Sequence, residues 1–141
     1  MTTLSELTVK YNELTAAQFI ELWESVWGDA PTVEQTELAM AHTLFRISVW
    51  DGERIVAMAR MNGDMGLGYY IKDVAVRPEY QRRGIGRLLM KELFRFINDH
   101  GVKGTGVFVE LCAEPDKAPF YRKAGFSADG GQRLQLMHRV E

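Results

Sequence analysis

Asp73-Val-Ala-Val-Arg-Pro-Glu-Tyr-Gln-Arg-Arg-Gly-Ile-Gly-Arg-Leu-Leu89 is the stretch on which the fold of this chain turns. An apolar strand, Tyr70 to Val76, stops at Pro78. A short loop then brings Arg82 and Arg83 together with Gly84 and Gly86, and an amphipathic helix follows without a break. That arrangement aims backbone N–H groups and the positive end of the helix at one spot, where a phosphate can sit. Gly84 and Gly86 carry no Cβ, so the backbone can turn there and approach a ligand closely. Arg82, Arg83 and Arg87 add charge that a diphosphate can neutralise.

The composition narrows the setting. A chain of 141 residues is the size of one domain, so residues 1–141 are read as a single domain. Hydrophobic residues make up 46% of it, with seven Phe, five Tyr and three Trp, enough bulk for a core. The net charge of −2 offers no general field for nucleic acid. Positive charge is local instead: Arg77, Arg82, Arg83, Arg87, Lys91 and Arg95 stand against only Glu79 and Glu92, a cation on the scale of a small polyanion. A lone cysteine, Cys112, excludes an internal disulfide and fits a reducing compartment. No apolar leader and no membrane-length run is present, so the expected location is the cytoplasm, with no membrane partner.

Working outward from the glycine loop, Leu7–Asn12 reads as a first strand. Thr15 suits the N-cap of a helix carrying Phe19, Leu22, Trp23, Val26 and Trp27, and Gly28-Asp-Ala-Pro31 breaks it. Thr32 opens a second helix. Phe45–Trp50 and Arg54–Met61 are strands around an Asp51-Gly52 hairpin turn. Asn62-Gly-Asp-Met-Gly66 turns into the strand that ends at Val76. The helix after Gly86 stops at Gly101, which is expected to take a positive φ as a C-cap. Val107–Leu111 reads as a buried strand, Asp116–Ala124 as a short helix ended by Gly125, and Leu134–Val140 as a last strand. The order is β-α-α-β-β-β-α-β-α-β, an α/β chain with a mixed sheet and helices on its faces. Ligands of such sheets favour the carboxyl ends of strands.

Two other readings of the loop fail on spacing. A dinucleotide fingerprint would need a glycine where Leu89 stands, and its turn starts directly at the strand end. A P-loop would need Gly-Lys-Ser/Thr, which does not follow. The stretch from Val74 to Leu89 resembles the acetyl-CoA signature of the GNAT N-acetyltransferases. Ala118-Pro-Phe-Tyr-Arg-Lys-Ala-Gly-Phe126 resembles that family's second signature, a tyrosine followed by Gly-Phe. The element order agrees as well, so the resemblance runs over nearly the whole chain. Ile71-Lys-Asp-Val74 is most similar to small bacterial and aralkylamine-type members.

The resemblance implies the GNAT acyl-CoA N-acyltransferase fold, with acetyl-CoA as cosubstrate and a primary amine as acceptor. Backbone groups of Val74, Ala75 and Val76 would pair with the pantetheine arm like an added strand. N–H groups of Arg82, Arg83, Gly84, Ile85, Gly86 and Arg87 would hold the pyrophosphate. Tyr121 would protonate the departing CoA thiolate, a role a phenol can fill. The family's asparagine about two helical turns before that tyrosine has no counterpart, since Glu114 or its neighbours occupy the place.

A cationic amine must lose a proton before it attacks. Asp73, Tyr70 and Glu110 are the candidates to take it, and family members often pass that proton along water. Glu110 stands in an apolar strand, where a carboxylate is costly unless paired. Cys112 reads as a small packing residue rather than an acetyl carrier. His42, His100 and His138 lack metal-ligand spacing, so no metal is expected. Phe19, Trp23 and Trp27 read as core. Three activities compete: acetylation of a small amine in a ternary complex, acetylation of a protein N-terminus or lysine, and a CoA-binding sensor without catalysis. Small members of the family often pair through a sheet edge or the C-terminal strand. Leu134, Leu136 and His138 alternate there with Gln135 and Met137, so a homodimer is expected.

Overall fold

Two capping boxes start the helical part of the chain. In the computed structural model, which describes residues 2–128 and 131–141, the Thr15 hydroxyl accepts from the Gln18 N–H while the Gln18 side chain accepts from the Thr15 N–H. Thr32 and Gln35 repeat the exchange. Each box satisfies orphan donors of a first turn, and helices α1 (Ala16–Trp27) and α2 (Val33–Ala41) follow. The rest of the chain forms β1 (Thr8–Tyr11), β2 (Phe45–Asp51), β3 (Arg54–Gly63), β4 (Gly68–Val76), α3 (Ile85–His100), β5 (Gly106–Cys112), α4 (Ala118–Lys123), β6 (Ser127–Ala128) and β7 (Arg133–Arg139).

The strands make one seven-stranded sheet in the order β1-β2-β3-β4-β5-β7-β6. It is mixed: β4 and β5 are parallel, whereas β1–β2, β5–β7 and β6–β7 are antiparallel. The expected α/β class and element order hold, with β6 added. Two residues are too few to show any periodicity, so sequence reading passes over it.

The chain gathers into two compact units, one of residues up to Arg60 with Asp73–Leu93, the other of Met61–Lys72 with Phe94–Glu141. In the first, α1 and α2 bury Leu14, Phe19, Leu22 and Met40 with Trp50, Ile55, Met58 and Ala75. Phe19 is core as expected, but Trp23 is only half-buried, its indole donating to the Asp29 carbonyl, and Trp27 near the end of α1 is exposed. In the second, register aligns Tyr69 with Val109 and Leu136, and Ile71 with Leu111 and Leu134, on one face. The opposite face carries Tyr70, Glu110 and Gln135 in one row and Phe108 with Met137 in the next. Strand β5 therefore alternates between buried and open positions, with Phe108 49% exposed, where its composition suggested a strand buried throughout.

Gly101 ends α3 for a different reason from the expected one. Its φ is not positive; a Cβ there would lie 2.9 Å from Val140 Cγ2 and 3.0 Å from the Ile97 carbonyl oxygen. Close approach of the last residues, not a left-handed turn, demands glycine. Gly125 does take a positive φ, 103°, just past α4. That helix starts later than expected, at Ala118, which places Pro119 in its first turn, where no N–H is needed.

Candidate active site

Loop and helix in the first unit build a corner of backbone N–H groups, the kind of end that suits an anion. The helix ladder of α3 opens with the Leu88 N–H donating to the Gly84 carbonyl at 3.0 Å. The N–H groups of Ile85, Gly86 and Arg87 therefore have no acceptor inside the helix. Gly84 has φ 89° and Arg82 φ 63°, so the backbone curls before the helix begins. Ile85, 1% exposed, pins the turn to the protein, while the side chains of Arg82 and Arg87 are exposed.

The other cations of this stretch do structural work. Arg83 lies over the Tyr80 ring at 5.0 Å, and the Tyr80 hydroxyl donates to Asp51 at 2.5 Å. That hydrogen bond, above all, lowers the Asp51 carboxyl. Arg77 is buried: its Nε donates to the Ile55 carbonyl and its guanidinium meets Glu21, both at 2.6 Å. It leaves the group of cations that the sequence assigned to a ligand.

Strand β4 adds a backbone edge. Its ladder with β5 runs from Gly68 to Ile71, yet the strand continues to Val76. Ala75 is buried in the core of the first unit, whereas Val74 and Val76 are half-buried. The Gln81 side-chain amide donates to the Val76 carbonyl at 3.0 Å, tying the loop back to the strand. Asp73 has φ 52° in mid-strand, and its carboxylate meets Arg60 Nε at 2.6 Å with both side chains largely buried.

Tyr121, on α4 in the second unit, is 7% exposed, and burial pushes its phenol up to about 12. It is protonated at neutral pH, the state a proton donor needs. Phe120 and Phe126 hold the ring edge-on at 5.1 and 6.0 Å. In the same unit a cavity of about 410 Å³ is bounded by Asn62, Asp64, Leu67, Tyr70, Phe108 and Glu110. Asp64 accepts from the N–H groups of Leu67, Gly66 and Gly68, which hold its carboxyl below the usual range. Glu110 is ion-paired with Arg133, and Lys72 Nζ sits 5.6 Å from the Tyr70 ring centroid.

Both carboxylate candidates for the base thus have arginine partners that sequence reasoning missed. Arg60 had left one signal, a charge inside the apolar run Ile55–Met61 of β3; Arg133 had left none. Cys112 is exposed, with Sγ 3.9 Å from Gln132. His138 contacts Asn98 at 2.7 Å, and burial lowers its imidazole. Among the described residues no three acidic, histidine or cysteine side chains gather into a metal site, and no helix is long and apolar enough to cross a membrane.

The profile of the Acetyltransferase (GNAT) family matches residues 9–126, spanning both signatures. The chain belongs to that family. This N-acetyltransferase is 27% identical over 132 residues to an uncharacterized N-acetyltransferase, ycf52-like, of Prochlorococcus marinus, covering 88% of the present chain and 71% of that protein. It spans 63% or less of several further curated relatives. Among solved structures, a probable acetyltransferase from meticillin-resistant Staphylococcus aureus superposes with a TM-score of 0.79 at 28% identity, over 88% of this chain and 92% of that one. A GNAT acetyltransferase of Brucella melitensis, solved in complex with acetyl-CoA, shares the fold with a TM-score of 0.67 at 17% identity, over 93% and 87%.

Proposed function

We propose that this acetyltransferase transfers acetyl from acetyl-CoA to the primary amine of a small molecule by direct attack in a ternary complex. The observation that carries the reading is the corner at Gly84–Arg87: helix N–H groups without internal acceptors, a glycine turn, and the exposed cations Arg82 and Arg87. This is the chemistry that holds a pyrophosphate. The β4 backbone of Val74–Val76, beyond the β5 ladder, suits an extended amide-bearing arm.

Acetyl-CoA supplies the activated thioester. The amine nitrogen forms the new C–N bond as the C–S bond breaks. Tyr121 gives its proton to the sulfur, and the proton lost by the amine leaves through Glu110 or water. Asp73, sheltered with Arg60, holds the strand rather than the proton, whereas the Glu110–Arg133 pair is open to solvent and can exchange one. The acceptor side of the reading draws on the cavity beside Tyr70, Phe108 and Glu110. Its volume of about 410 Å³ suits a small molecule, and its carboxylates, Asp64 and Glu110, and its rings favour a cation.

A panel of small primary amines, assayed for CoA release beside lysine-containing and N-terminal peptides, tests the reading. Turnover with small cationic amines is expected. Release confined to the peptides would replace the acceptor class, and release with neither would leave a binding protein.

A further inference from the structure

The acyl carrier's strand contains a residue in a conformation that its neighbours must enforce. Asp73 sits in mid-β4 at φ 52°, a left-handed value rare for any residue but glycine, though least so for Asp and Asn. It follows the last paired residues of the β4–β5 ladder and immediately precedes Val74–Val76. A left-handed residue inside a strand redirects every N–H and C=O after it.

One side chain is placed to keep it there. Arg60 Nε meets Asp73 Oδ2 at 2.6 Å, with the two side chains 13% and 14% exposed. The same guanidinium donates to Thr43 Oγ1 at 3.2 Å, and the Thr43 hydroxyl donates to the Ala39 carbonyl of α2 at 2.6 Å. A continuous line of hydrogen bonds therefore runs from the end of α2 through Arg60 to the turned residue of β4. Water screens such a sheltered pair weakly, so it constrains geometry more than a surface pair does.

We propose that Arg60 is a positioning residue for acetyl-CoA: by holding the Asp73 carboxylate it fixes the left-handed turn of β4, and so the direction of the Val74–Val76 backbone groups that receive the pantetheine arm. The inference rests on the reading of β4 given above. It assigns Arg60 no contact with either substrate. The planar fork of an arginine satisfies Asp73 and Thr43 at once; a lysine can satisfy the charge but not both geometries.

The test uses Arg60→Met, which keeps the length and removes the charge, with Arg60→Lys and Asp73→Ala beside it. Melting curves establish that each variant is folded, and titration with CoA itself gives the affinity without turnover. Wild type should bind CoA, Arg60→Met should bind it about tenfold more weakly, Arg60→Lys should recover part of the loss, and Asp73→Ala should match Arg60→Met. The double variant Arg60→Met/Asp73→Ala should be no worse than either single one, since the two residues act as a unit. A folded Arg60→Met with wild-type CoA affinity overturns the proposal. So does Asp73→Asn that binds CoA normally but loses the acid limb of the pH–kcat profile, because Asp73 would then be handling the proton. Failure of wild type to bind CoA would instead sink the reading of the cofactor site.

Discussion

The Gln81–Arg87 loop and the open face of β5 handle charge in opposite ways. In the loop the useful groups belong to the backbone: helix N–H groups, a glycine at φ 89°, and the exposed side chains of Arg82 and Arg87. Around Glu110 the useful groups are side chains, and the carboxylate is already matched by Arg133 from the neighbouring strand. A site made of backbone tolerates changes of side chain so long as the turn survives. A site made of side chains is decided by strand register, and each member depends on its partner.

The sharpest way to break this contrast is to spoil the backbone site. CoA should raise the melting temperature of the wild type, as any ligand of the native state does. Gly84→Asp with Gly86→Asp should abolish the shift, by placing two side chains and two negative charges at the loop. At Gly84 the left-handed φ adds strain. A preserved shift in a folded double variant would show that phosphate is held elsewhere.

Tyr121 tests the side-chain half. Tyr121→Phe removes one oxygen and keeps the ring, so turnover should fall about 10²-fold while CoA affinity stays near wild type. Unchanged turnover would reduce Tyr121 to a core aromatic. A second readout comes from its proton. Burial raises the folded phenol from the ordinary 10 to about 12. Between those values the unfolded chain has released the proton and the folded chain has not. The stability contributed is therefore complete below about pH 10 and lost as pH rises towards 12. Denaturation at about pH 9 and about pH 11 should show that loss in wild type, and a smaller one in Tyr121→Phe.

The smallest expected effect lies at Glu110. Glu110→Gln removes one of the two carboxylates at the cavity wall, leaving Asp64, and keeps the shape. It should lower kcat/KM for a cationic amine about tenfold and leave the KM for acetyl-CoA alone, the scale of one charge-assisted contact. A loss that falls on acetyl-CoA instead would place the residue with the cofactor.

Much of the fold was legible because its signals are local. Thr15 and Thr32 announce their helices through caps that close on a residue three positions on, and Asp51-Gly52 announces its hairpin. The family was legible from two short motifs, and residues 9–126 match it. Other features lie beyond that range. Arg77 belonged by composition to the cationic cluster, yet packing turns it inward to Glu21 and the Ile55 carbonyl. Gly101 is glycine because Val140, far away in sequence, passes within reach of a Cβ. The rows on the open face of β5 follow from pairing with β4 and β7, which a single strand's composition does not specify.

The sequence by itself determined the glycine corner, because a glycine turn and a helix start need only consecutive residues to place their N–H groups. Tertiary structure alone decided the partners of the carboxylates: Arg60 for Asp73 and Arg133 for Glu110. Those pairs join positions 13 and 23 residues apart. A charge reaches such a partner only when strand pairing and burial bring the two together, and the energy of the meeting depends on how little water remains around them.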